Sequence, residues 1–176
     1  MLPNHRIAKK QTNLHMKRKL LLILILGIFC NCEKKKEIYK YNENLKVKDE
    51  IQKLVTDLAI GANIYEMETN SDSNKEFKEL LAVATNEDLV GLTDHKDPTI
   101  RCYAFRGLTE RDYPKVKEIF MNHMNDLAIV TRSYFATSTT MDVRSYYLEH
   151  LHPALNQKYK FTSDEYVDMI KELGVE

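Results

Sequence analysis

Leu92-Thr93-Asp94-His95-Lys96-Asp97-Pro98-Thr99-Ile100-Arg101-Cys102-Tyr103-Ala104-Phe105-Arg106-Gly107-Leu108 is the stretch on which the reading of the fold turns. An Asp at the N-cap accepts backbone N–H groups that have no partner inside a helix. A Pro at the first helical position loses nothing by lacking its own N–H. Asp97-Pro98 therefore predicts a helix start, with Ile100, Tyr103, Ala104 and Leu108 on one face and Cys102 and Phe105 on its flank. Downstream, Pro114 opens a second helix whose face carries Val116, Ile119, Phe120, His123 and Met124. Asp126 is expected to cap a third through Ile129, Val130, Ser133 and Tyr134, although the β-branched residues of 131–140 also suit a short extended piece. Val143, Tyr146, Tyr147 and Leu151 suggest a helix up to Pro153, and Thr162-x-x-Glu165 reads as a capping box for a last one ending at Gly174.

Upstream, the same period recurs. Asn86 caps a short helix through Leu89, Val90 and Leu92, and Phe77, Leu80, Leu81 and Ala84 stripe another from Lys75 to Ala84. Ile51, Leu54, Val55, Leu58 and Ala62 stripe the first, with Gly61 and Asn63 weakening its end. The motif Asp97-Pro98-Thr99-Ile100 has an echo 29 residues on in Asp126-Leu127-Ala128-Ile129, each followed at similar range by an aromatic, Phe105 or Tyr134. Helical pairs cannot bury their apolar faces alone, so repeated pairs imply a stacked core.

With its Asp-Pro turn, Ile100-Arg101 pair, Ala104 and closing Leu108, the stretch from Leu92 resembles a HEAT repeat. The resemblance covers roughly residues 75–151, with Val130 standing where the second Arg belongs. It implies an all-α fold, a short α-solenoid of HEAT-like helical hairpins with flanking helices, in which Asp97 and Arg101 hydrogen-bond along the stack. Asp97, Pro98 and Arg101 are accordingly expected to be structural residues.

Composition is compatible with helices: there is no Trp, with only five Gly and four Pro. The neutral formal charge hides a division. Residues 1–32 hold six basic side chains and no acid, which leaves 20 basic against 26 acidic residues, a net −6, over 33–176. Such a chain is poorly suited to phosphate backbones, whose affinity comes from neutralising Lys and Arg, so nucleic acid is not an expected partner.

The N-terminus reads as an address. Lys17-Arg18-Lys19 precedes the apolar run Leu20 to Phe29, about half the roughly 20 residues that a membrane-spanning helix needs. Met16, just before the basic cluster, is the expected true start. The end of the run resembles the lipobox of bacterial lipoproteins of the Bacteroidetes group, which implies cleavage and acylation of a cysteine. Cys30 follows the bulky Phe29, whereas Cys32 follows the small Asn31 and precedes a Lys/Glu-rich stretch, so Cys32 is the expected lipidation site. The expected organisation is a signal peptide over 1–31, a polar tether over 32–44 and a helical domain over 45–176. Only Cys102 then remains as a free thiol, and no disulfide forms.

Candidate chemistry is sparse. Glu149-His150-Leu151-His152 gathers two imidazoles and a carboxylate, the one pattern compatible with a metal-dependent hydrolase. On a helix, however, residues two apart face different ways, and the plain reading is two histidines favouring a helix end. His95 and His123 precede the two Asp turns at corresponding positions, which suggests turn-forming roles, and Cys102 sits among core residues as an inert thiol. No metal site, catalytic residue or cofactor is expected. The expectation is an envelope-anchored, non-enzymatic lipoprotein whose helical domain serves as a protein-interaction or scaffold module, held to the membrane by its N-terminal lipid.

Overall fold

The computed structural model describes residues 37–61, 63–66, 72–134 and 137–174, excluding the side chains of residues 72 and 73. The leader, Cys30 and the lipidation candidate Cys32 lie outside the described residues. Residues 37–176 form one compact unit. Among the described residues are seven helices and three strands. In chain order these are α1 (Asp49–Ile60), β1 (Asn63–Tyr65), α2 (Asp72–Val83), α3 (Asn86–Leu92), α4 (Pro98–Glu110), α5 (Val116–Asn122), β2 (Ile129–Tyr134), β3 (Thr137–Asp142), α6 (Val143–Glu149) and α7 (Ser163–Leu173).

Helix α4 is the axis of the structure, with ten of its thirteen residues buried. Asp97 is its N-cap, the carboxylate accepting the Thr99 N–H at 2.8 Å, and Pro98 takes the first helical position. Helices α1, α3, α5 and α6 and strands β1 and β2 pack around it. Local signals start the outer helices too: Thr85 with Asp88 opens α3, and Thr162 with Glu165 opens α7, each as a reciprocal capping box. The core is rich in aromatics, with Phe105 stacked on Tyr147 at 3.8 Å and Phe77 tilted against Tyr103 at 5.3 Å.

The sheet corrects the all-α expectation. Strands lie in the order β1-β2-β3, β1 parallel to β2 and β2 antiparallel to β3. Ile64 stands opposite Arg132, and Val130 opposite Met141. The fold is therefore mixed α and β, not a short α-solenoid of HEAT-like hairpins. The helix expected after Asp126 is strand β2, so the 29-residue echo relates a helix to a strand. Two causes are visible. Ile129, Val130, Thr131, Thr137, Thr139 and Thr140 are β-branched and lose side-chain freedom in a helix, whereas paired strands accommodate them. Asp126, moreover, does not cap a helix: both of its oxygens are engaged by Arg101, and one also accepts the Ala128 N–H at 3.3 Å. Strand β1, at the weakened end of the first apolar stripe, is fixed to α4 by one side chain. The Tyr103 hydroxyl donates to the Asn63 carbonyl and accepts the Tyr65 N–H, both at 3.1 Å.

Candidate functional site

A polar cleft of about 320 Å³ opens where the end of β1, the last turns of α4, strand β2, the end of α6 and the following loop converge. Its lining is Glu66, Arg106, Glu110, Arg132, Glu149, His150, Leu155 and Gln157. The parallel pairing of β1 with β2 sets Glu66, one residue past the strand, within 3.6 Å of Arg132. Helix α6 ends at Glu149, and this delivers Glu149 to the same Arg132 guanidinium and His150 to Glu66, Nε2 lying 3.1 Å from Oε1. On α4, one turn apart, Arg106 donates from Nε to Glu110 at 2.7 Å. Arg106 also donates to the Tyr65 carbonyl at 2.8 Å and lies 4.3 Å over the Phe77 ring.

The balance in this cleft favours acceptors. Three carboxylates face two guanidinium groups and the His150 imidazole. Both cations are already matched by carboxylates of the lining, and the Glu110 and Glu149 side chains stay exposed to solvent. Two polar atoms are buried without a hydrogen bond, the Oε1 of Gln157 and the hydroxyl of the fully buried Tyr146. Buried polar groups normally have partners, so each such atom marks an unfilled valence. The Tyr146 hydroxyl stands beside the Glu66 carboxylate, and its ring packs at 4.5 Å on His150. Burial raises the Glu66 pKa, but the hydrogen bond from His150 and the charges of His150 and Arg132 outweigh it, so the carboxyl is held below its ordinary value.

A second cluster is structural in its geometry. Arg101, 2% exposed, donates from Nε and Nη2 to both oxygens of Asp126 at 2.8 and 2.9 Å, and from Nη1 to the His95 and Lys96 carbonyls. Its carboxylate is thus Asp126, not Asp97. His123 is buried between Asp126 and Asp94, and His95 turns its Nδ1 to the Asp97 N–H at 3.0 Å. Tyr39, well before α1, lies against this cluster. Its ring tilts on His123 at 4.4 Å with the Arg101 guanidinium 5.3 Å away, and its hydroxyl donates to Asp94 at 2.8 Å.

The structure divides the Glu149, His150 and His152 group. Glu149 and His150 enter the cleft, while His152 accepts the Ala154 N–H at 3.0 Å and meets Tyr166 edge-on. Among the described residues no three His, Cys, Asp or Glu side chains are disposed to hold a metal ion. Cys102 is buried, and burial pushes its thiol pKa well up. Sequence reasoning missed Glu66, Arg106, Glu110, Arg132 and Gln157. The only local signal was the β-branched composition of residues 131–140, which suits an extended piece around Arg132. Comparison with known proteins found no matching family model, no matching curated sequence and no matching solved structure.

Proposed function

We propose that the chain is an envelope lipoprotein, lipidated at Cys32, whose folded body is a non-catalytic interaction module that docks a basic protein partner at the polar cleft. The observation that carries this is the surplus of acceptors in the cleft, set on a body with 17 basic against 25 acidic side chains over residues 37–176, a net −8. Such a field draws in basic surfaces and repels anionic ones, including nucleic acid. The lipid address comes from the basic and apolar leader before Cys32. Among the described residues no helix is long and apolar enough to cross a membrane. His152 turns away from the cleft, so among the described residues Glu149, His150 and His152 do not gather at one point.

The test is photocrosslinking in cells. A photoreactive residue at Leu155, on the cleft, is expected to give a discrete protein adduct that disappears when Glu66→Gln and Glu149→Gln are added. The same group at Val167, exposed on α7 and outside the cleft lining, should give none. Equal labelling from both positions, or an adduct indifferent to the two carboxylates, overturns the reading.

A further inference from the structure

We infer that the folded body rests on the bilayer to which its N-terminus leads, with the apolar side chains around Tyr39 seated among the lipid headgroups. The occupant of this face is a phospholipid surface. The inference rests on the N-terminal address in the reading above and owes nothing to the cleft.

Length comes first. Only residues 33–36 separate Cys32 from Glu37, where the compact unit begins. An extended residue spans at most about 3.6 Å, so the reach from Cys32 to Glu37 is no more than about 18 Å. A unit the size of residues 37–176 has a radius of gyration of about 14 Å. The anchor is therefore held close to the body, and the surface around Glu37 is the one the bilayer meets. The chain is pinned at that surface. The Tyr39 N–H donates to the Asn125 carbonyl at 3.4 Å and its hydroxyl to Asp94 at 2.8 Å, so the entry segment lies on the turn after α5. Ile38, 79% exposed, there borders a groove of about 300 Å³ with Asn122 and Asn125.

What surrounds that turn is apolar and open. Met121, next to Asn122, and Leu127, two residues past Asn125, are exposed, as are Tyr41 on the entry segment and Ile129 at the start of β2. Exposure alternates through Leu127, Ala128, Ile129 and Val130, which puts Leu127 and Ile129 on one side of the run. Exposed apolar side chains scattered singly call for no explanation. These five, however, lie on the entry segment or within four residues of Asn125, the residue it is pinned to. Aliphatic side chains and a Tyr with its polar tip are the types that lodge at a membrane interface. A body of net −8 gains nothing from anionic lipid, so the seat is apolar and indifferent to salt. None of the five lines the cleft.

The chain has no Trp, so a single introduced Trp reports without background. The full chain, produced in bacteria with its leader, is reconstituted into phosphatidylcholine vesicles whose acyl chains are brominated or plain. Leu127→Trp and Met121→Trp, both far in sequence from the anchor, should be quenched about twofold by the brominated lipid, equally at low and high salt. Val83→Trp is the control and should keep its full fluorescence. Val83 is exposed, and the Ala84 carbonyl next to it is held by Arg111, just beyond the C-terminal end of α4. Tyr39 lies against Arg101 and Asp94 at the N-terminal end, a helix length of about 20 Å away. Each position is exposed, so all three variants should melt like the wild type. Chains that float with the vesicles but show no quenching at Leu127 and Met121, or equal quenching at Val83, overturn the membrane face and leave the address standing. If labelled fatty acid fails to enter yet Leu127→Trp is quenched, acylation falls and the face stands. If the chains neither take up label nor float, both fall.

Discussion

Removing Asp126 should do far more damage than removing a helix-capping residue such as Asp97. Arg101 and Asp126 are each 2% exposed, 25 residues apart in sequence, and joined by two hydrogen bonds of 2.8 and 2.9 Å. In Asp126→Ala the guanidinium stays buried and keeps only the His95 and Lys96 carbonyls as acceptors, while the Ala128 N–H and His123 also lose a partner. Breaking one side of a buried ion pair costs about 3–5 kcal/mol. A domain has only about 5–15 kcal/mol in total, and at this size 1 kcal/mol moves the melting temperature by roughly 3–4 °C. Asp126→Ala should therefore melt about 10–20 °C below the wild type. Asp97→Ala removes a single cap to Thr99 and should cost only about 0.5–2 kcal/mol. The double replacement Arg101→Met with Asp126→Leu, which leaves no orphaned charge, should recover much of the loss. Urea unfolding of Arg101→Met, Asp126→Leu and the double variant closes the cycle. If Asp126→Ala costs less than Asp97→Ala, or if the double variant equals the sum of the singles, the pair is not the buried anchor described here.

Other expectations follow from the same geometry. Tyr103→Phe removes the hydroxyl that ties Asn63 and Tyr65 to α4; it should cost about 1–3 kcal/mol and speed amide exchange at Tyr65 before other core positions. Glu66 and Asp126 both have carboxyls held below their ordinary values, against burial, chiefly by hydrogen bonds from His150 and His123 respectively. Depressed carboxyls contribute stability that is fully present above the unfolded value near pH 4 and lost as pH falls through the folded one. Stability by urea titration should thus be level in its carboxyl contribution above about pH 5 and drop below pH 4, with a shallower drop in Glu66→Gln. Labelled fatty acid should enter the wild type and be lost in Cys32→Ser; labelling that depends on Cys30 instead would move the acylation site.

Where local chemistry decides an element, the sequence was readable. Asp97-Pro98 starts α4 and Thr162 with Glu165 starts α7, because caps act within one turn. The sheet was not readable as a sheet. Ile129–Tyr134 buries Val130 and Ser133, a spacing of three that mimics a helical stripe, and its parallel partner Asn63–Tyr65 is only three residues long and lies 66 positions upstream. Asp126 has the same appearance as Asp97 in sequence, yet its carboxylate is claimed by a guanidinium from another helix. The cleft was half legible. Glu149 and His150 stood out as neighbours, but Glu66 reaches His150 across 84 residues, and a single sequence carries no trace of that contact. Arg132 fell where a helix and a short extended piece were both open, and only the strand turns it toward two carboxylates.

The seating of Tyr39 has a mechanical consequence. Any pull on the chain ahead of Glu37 arrives first at this residue, and it is met by a clamp instead of a fraying end. The Tyr39 N–H reaches the Asn125 carbonyl at 3.4 Å, its hydroxyl holds Asp94, and the Asn42 N–H closes on the Asp94 carbonyl at 2.9 Å. These bonds end on the turns that flank α4 and follow α5, the same turns that Arg101 ties together through the His95 and Lys96 carbonyls and Asp126. A load entering at Tyr39 is therefore passed to the buried Arg101–Asp126 cross-link and on to α4, while the cleft-lining ends of β1 and α6 take no part in these contacts.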